Sequence, residues 1–160
     1  MRVLGLDPGV SGALAMLDTD LDALVICDMP GAVVKTNKTA RRQVSESWLT
    51  SVIREYRPDC AWVERVHAMP RQGVTSSFNF GLSYGLARGV LAGLGVQTSL
   101  VTPQEWKRAF RLGPDKAEAR IVASRLFPVN AKQFSRVRDD GRAEAALLAL
   151  FGSRQQTSLV

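Results

Sequence analysis

The N-terminal run Arg2-Val3-Leu4-Gly5-Leu6-Asp7-Pro8-Gly9-Val10-Ser11-Gly12-Ala13-Leu14-Ala15-Met16-Leu17 holds two short apolar segments on either side of a Pro-Gly pair. Residues 2–7 alternate around Val3, Leu4 and Leu6, and residues 12–17 are apolar and small, so each has the character of a β-strand, with Pro8-Gly9 as the turn between them. A third apolar segment, residues 23–28, carries Leu24, Val25 and Ile26 and follows a polar turn at residues 18–22. Three consecutive strands predict an antiparallel meander at the start of the chain.

Beyond the meander, the pattern changes to alternating helices and strands. Residues 30–40, with Pro30, Gly31, Lys35 and Lys38, read as a basic loop. Val44, Trp48, Leu49, Val52, Ile53 and Tyr56 fall at helical spacing, predicting a helix over residues 40–56 that ends before Pro58. Cys60-Ala61-Trp62-Val63-Glu64 reads as a buried strand finishing on a carboxylate, and residues 67–77 as a loop. Residues 78–94 form a helix rich in small residues (Gly81, Gly85 and Gly89 at four-residue spacing), suited to close packing on the sheet or on a second subunit. Residues 97–101 add a strand, and Thr102-Pro103 caps a helix to Phe110. Helices over 116–127 and 143–151 flank a basic loop at 130–138, with Gly152 as the final stop. The expectation is one α/β domain over residues 1–152, a five-stranded mixed sheet flanked by helices, followed by a flexible tail at 153–160.

Composition bounds the function. The chain has 160 residues, with 21 Lys and Arg against 15 Asp and Glu. Residues 1–34 contain one basic and five acidic side chains, and the remainder contains 20 basic and 10 acidic. A basic body behind an acidic N-terminus points to a polyanionic partner such as DNA or RNA. There is no membrane-length apolar run and no signal-peptide pattern, and Cys27 and Cys60 lie in strand-like segments. A cytoplasmic protein with reduced cysteines and no membrane partner is expected.

Four acids stand out. Asp7 and Glu64 each end a strand, at the rim of a sheet where ligands bind. Asp140 and Glu144 are four residues apart and share one helix face. Four converging carboxylates repel unless divalent cations join them, and hard oxygen ligands suit Mg²⁺, with Mn²⁺ as the alternative. Each also has a simpler reading: Asp7 as a turn residue, Glu64 paired with Arg65 or Arg88, Asp140 as a helix N-terminal charge, and Glu144 paired with an arginine. Taken together on a basic protein they predict two-ion phosphodiester hydrolysis.

Gly5-Leu6-Asp7-Pro8-Gly9-Val10-Ser11-Gly12, Val63-Glu64 with the helix behind it, Val101-Thr102-Pro103-Gln104-Glu105-Trp106-Lys107, and Asp140-Gly141-Arg142-Ala143-Glu144-Ala145 together resemble, in order, the motifs of RuvC-type Holliday junction resolvases of phage type, in the ribonuclease H-like superfamily. The resemblance implies a homodimeric endonuclease that nicks opposed strands of a four-way DNA junction, leaving ligatable 5′-phosphate ends. It implies Asp7, Glu64, Asp140 and Glu144 as the ligands of two Mg²⁺ or Mn²⁺ ions. Two departures are present. The closing acids of bacterial members are commonly three apart and both Asp, which keeps Asp139 as an alternative ligand. His67 stands roughly where those members carry a junction-stacking aromatic.

The expected phosphate contacts are Lys35, Lys38, Arg41 and Arg42, Arg71, Lys107 with Arg108 and Arg111, and Lys132 with Arg136 and Arg138. His67, Phe78 and Phe80 are candidates for the junction centre, the phenylalanines alternatively for core or dimer contact. Two other functions fit the residues less fully: a broader nuclease for forks and flaps, and a fragment of an actin-like ATPase, whose Asp-x-Gly start is similar but whose two lobes exceed this length. No motor partner is legible.

Overall fold

A computed structural model describes residues 1–35, 40–67 and 73–157. Strands β1 (Arg2–Leu6), β2 (Ala13–Asp18) and β3 (Ala23–Asp28) form the expected antiparallel meander, with Leu6 opposite Leu14 and Ala13 opposite Asp28. The chain then departs from expectation. Gly31–Lys35 (β4) and Ala40–Val44 (β5) pair antiparallel as a separate hairpin, so residues 31–35 of the expected basic loop and residues 40–44 of the expected helix are strands instead, with residues 36–39 outside the described residues. Val44, four residues before Trp48, fits a helical period by coincidence. The true helix α1 (Glu46–Tyr56) starts after Ser45, whose hydroxyl accepts from the Trp48 N–H, and stops at Arg57 in the left-handed region.

Strand β6 (Cys60–Glu64) pairs parallel with β1, and β7 (Gln97–Val101) pairs parallel with β6, giving the order β3-β2-β1-β6-β7. This is the predicted five-stranded mixed sheet. Helix α2 (Val74–Gly93) connects β6 to β7 and begins within the segment expected to be a loop. Among the described residues nothing lies within 4 Å of the Cβ positions of Gly81, Gly85 and Gly89. Helix α2 instead buries Ser83, Ala87 and Leu91, which rules out the sheet as the partner of its glycine stripe. Helices α3 (Pro103–Ala109), α4 (Lys116–Leu126) and α5 (Asp140–Thr157) complete the chain. The expected basic loop before α5 is wound into 3-10 turns at Pro128–Phe134 and Val137–Asp139.

The alternation of side chains along the strands divides the core in two. Leu4, Leu6, Leu14 and Met16 pack with α1 and α2 residues such as Leu49, Ile53 and Leu91 on one face. Ala13, Ala15 and Leu17 pack with α5 and with Trp106, Ala123 and Phe134 on the other. Helix α5 crosses β1 so closely that a Cβ on Gly5 would lie 2.0 Å from the Ala145 carbonyl oxygen. It also continues through Gly152, which lies against the Trp62 ring, so Gly152 does not stop the helix and residues 153–157 are helical rather than a tail. Cys27 and Cys60 are free thiols, both pushed up in pKa chiefly by burial. Among the described residues no helix is long and apolar enough to cross a membrane.

Candidate active site

Asp7 follows β1 directly. Its N–H donates to the Ala13 carbonyl at 3.0 Å, and the Gly12 N–H donates to Gly9 at 2.9 Å, closing the turn. Gly12 folds against Asp7 so tightly that a Cβ would sit 2.2 Å from the Asp7 carbonyl oxygen. Glu64 is the last residue of β6. Because Leu6 is in register with Val63 across the parallel pair, the next residues, Asp7 and Glu64, emerge side by side on strands about 4.8 Å apart. Two carboxylates remote in sequence therefore share one sheet rim.

A second layer holds Glu64. Thr102 and Glu105 form a reciprocal capping box: Glu105 Oε2 accepts from the Thr102 N–H at 2.8 Å, and Thr102 Oγ1 accepts from the Glu105 N–H at 3.3 Å. The Thr102 hydroxyl, which donates to Glu105 Oε2 at 2.7 Å, and then the Thr102 N–H hold the exposed Glu105 carboxyl below its usual pKa. Helix α3 is thereby fixed at its first turn, and Trp106, fully buried, directs its indole N–H to Glu64 Oε1 at 2.9 Å. Lys107 lies over the Trp106 ring, with its Nζ 5.3 Å from the centroid and 3.8 Å from Glu144 Oε1. Glu64 and Glu144 are thus joined through neighbouring residues of α3. Arg88, one of the partners expected for Glu64, covers the Tyr84 ring, and Glu144 has Lys107 within ion-pair distance.

Asp140 begins α5. Arg120 Nε from α4 stands 2.9 Å from its Oδ1, close enough for an ion pair although the atoms miss hydrogen-bond geometry. The next residue, Gly141, gives Asp7 its room, since a Cβ there would be 2.9 Å from Asp7 Oδ2 and 2.8 Å from the Ser11 carbonyl oxygen. Asp139 faces elsewhere. It is 1% exposed, accepts from the Arg136 N–H at 2.9 Å and from Arg136 Nη2 at 2.9 Å, and has Arg142 Nη1 at 3.7 Å. Arg136 holds its carboxyl below the usual aspartate range.

Among the described residues no three of His, Cys, Asp and Glu gather closely enough to hold a metal ion. The four acids stand as two linked pairs, with Arg120 and Lys107 balancing Asp140 and Glu144. In donor type the residues do fit a hard divalent cation: all are carboxylates, two are adjacent by strand register, and the Asp7 carboxylate abuts the first turn of α5.

Beside this rim lies a cleft of about 810 Å³ between the β4–β5 hairpin and the first half of α2, lined among others by Val10, Arg41, Arg42, His67, Asn79 and Phe80. His67 and Phe80 therefore share one cavity, whereas Phe78 is 69% exposed away from its lining. Lys35, Arg41 and Arg42 are exposed on the hairpin, and Arg108, Arg111, Lys132, Arg136 and Arg138 are exposed elsewhere. Lys38 and Arg71 lie outside the described residues. Sequence reasoning did not single out Trp106 as the donor to Glu64, nor Arg120 as the partner of Asp140. An indole N–H inside an otherwise apolar helix face was the available signal for the first.

No family model matches the chain. A crossover junction endodeoxyribonuclease RuvC of Streptomyces avermitilis is 30% identical over 141 residues, spanning 82% of this chain and 77% of that protein. The solved structure of T. thermophilus RuvC in complex with Holliday junction substrate aligns with a TM-score of 0.61 at 18% identity, covering 98% of each chain. The yeast mitochondrial Holliday junction resolvase Ydc2 aligns at 0.54 and 13% identity, covering 99% of this chain and 81% of its own. At those identities the two structures establish a common fold.

Proposed function

This chain belongs to the RuvC family of crossover junction endodeoxyribonucleases, and from that premise we propose that it resolves four-way DNA junctions by nicking opposed strands. Membership removes the actin-like alternative. The observation that carries the reading is the register neighbourhood of Asp7 and Glu64 at the rim of β1 and β6, with the first turn of α5 against it.

Asp7, Glu64, Asp140 and Glu144 would hold the divalent ions, Mg²⁺ or Mn²⁺, two per site. Asp139, the alternative to Asp140, fits this reading less well, since it is buried with its oxygens turned to Arg136 and Arg142. When bound, such ions supply an activated water and neutralise the leaving 3′ oxygen. The chain's own residues orient the rest. Trp106 holds the Glu64 carboxylate in one rotamer, and Lys107, beside Glu144, presents an ammonium to the backbone phosphate. The hairpin arginines and the cleft guide the strand without reading its sequence, which suits recognition of branch shape. Two copies of the chain would pair through α2, where Phe78 and Leu82 are exposed beside the open Gly81 and Gly85 positions, and so set two sites against one junction. His67 in the cleft, where an aromatic is expected, favours a second reading, activity on forks and flaps as well.

Cleavage of a four-way junction, a fork and a duplex of matched sequence, in Mg²⁺ and in EDTA, separates these. The expected result is a pair of symmetric, religatable nicks in the junction that EDTA suppresses. Equal cutting of the duplex, or cutting in EDTA, contradicts the proposal.

A further inference from the structure

A pocket of about 350 Å³ opens on the far side of the Asp7 turn, where the chain enters α5. Ser11 and Gly12 line it from the turn, Arg42 from β5, Arg136 and Arg138 from the approach to the helix, and Arg142 from the first turn of α5. The two acids in its wall are engaged. Arg142 Nε and Nη2 donate to Asp28 at 2.5 and 2.7 Å, and Arg136 holds Asp139. Arg42 Nη2 donates to the Met29 carbonyl at 2.8 Å. Each of these guanidinium groups offers five N–H donors, so the protein bonds orient each fork and leave other donors for a ligand. Among the lining side chains four arginines stand against two carboxylates, an excess of two positive charges, and Arg138 is exposed at the rim.

Arg42 also lines the large cleft that contains His67 and Val10, so the two cavities meet at one side chain. A strand lying in the cleft across the Asp7 turn would run on past Arg42 into the arginine pocket. We propose that this pocket is a phosphate subsite that grips a backbone phosphate of the cut strand, beyond the phosphate being cut. The proposal rests on the junction-nuclease reading and extends it, since guanidinium forks match phosphate oxygens bidentately and fix the strand's position.

The test is junction affinity by fluorescence anisotropy in EDTA, from about 50 to 200 mM salt. Arg138→Gln is expected to weaken binding about fivefold and to make the slope of log affinity against log salt shallower by about one, the signature of one lost phosphate contact. Arg125→Gln removes the same charge from the exposed face of α4 and is expected to leave the slope at the parental value. Ser11→Asp, which adds a carboxylate to the pocket and removes no arginine, is expected to weaken binding as well. Equal slopes for Arg138→Gln and Arg125→Gln overturn the pocket while leaving the nuclease standing. A parental protein that neither binds nor nicks junctions overturns the function and the pocket together.

Discussion

Among the described residues, Glu64 takes its hydrogen bond from a donor 42 residues away, the indole of a fully buried tryptophan. Trp106→Phe keeps an aromatic ring but deletes the N–H together with the pyrrole half of the indole, leaving a cavity in the core. A hydrogen bond to a charged group contributes about 1.5–3 kcal/mol, so single-turnover junction cleavage at a temperature where the variant is folded should fall roughly 10- to 100-fold, beside a lower melting temperature from the cavity. Loss of the fold, or no change in rate, would separate Trp106 from the chemistry. Asp7→Asn should abolish cleavage and retain junction binding in a gel-shift assay. The neighbouring aspartates should divide by kind of defect: Asp140→Asn removes cleavage from a folded protein, whereas Asp139→Asn lowers the melting temperature first, because it breaks the buried contacts to Arg136 and Arg142. The acids were legible in the sequence because a carboxylate at a strand end is a local pattern. Their partners were not, because the Trp106–Glu64 and Arg120–Asp140 pairs are brought together only by helix packing.

Among the elements, α5 decides the geometry, since it lies against β1 and β2 and carries two of the acids. Gly5→Ala would drive a Cβ to within 2.0 Å of the Ala145 carbonyl oxygen and 2.4 Å of the Ala149 nitrogen. Both obstacles are backbone, so the helix must move, and a loss of about 3 kcal/mol or more is expected in urea unfolding. A variant as stable as the parent would mean the helix can shift freely. The sheet was readable because its strands are short apolar runs bounded by turn residues, and the parallel pairs follow from the helical crossovers. The β4–β5 hairpin was missed because Lys35, Arg41, Arg42 and Gln43 make it polar, and a two-stranded ribbon exposed on its surface carries little apolar alternation. The length of α5 was missed for a different reason: Gly152 reads as a stop, yet here it is the space that accommodates Trp62.

Across the whole molecule, charge links stability to pH. The Asp28 and Asp139 carboxyls are held below their ordinary range, first by hydrogen bonds from Arg142 and Arg136 respectively. Groups lowered on folding stabilise the native state above the unfolded pKa of about 3.9, and that contribution disappears as pH falls through the folded values. The melting temperature should therefore decline as pH drops below about 4, and Asp139→Asn should flatten that decline. The basic excess beyond residue 34 was visible in the composition, but the cleft and the arginine pocket it lines exist only once the hairpin, α2 and the start of α5 are assembled. The most direct test of the account is anomalous diffraction from crystals equilibrated with Mn²⁺. Density coordinated by both Asp7 and Glu64, with the Asp140 carboxylate turned toward it, is the predicted outcome. Manganese bound elsewhere, or absent from that rim in a protein that still nicks junctions, would contradict it.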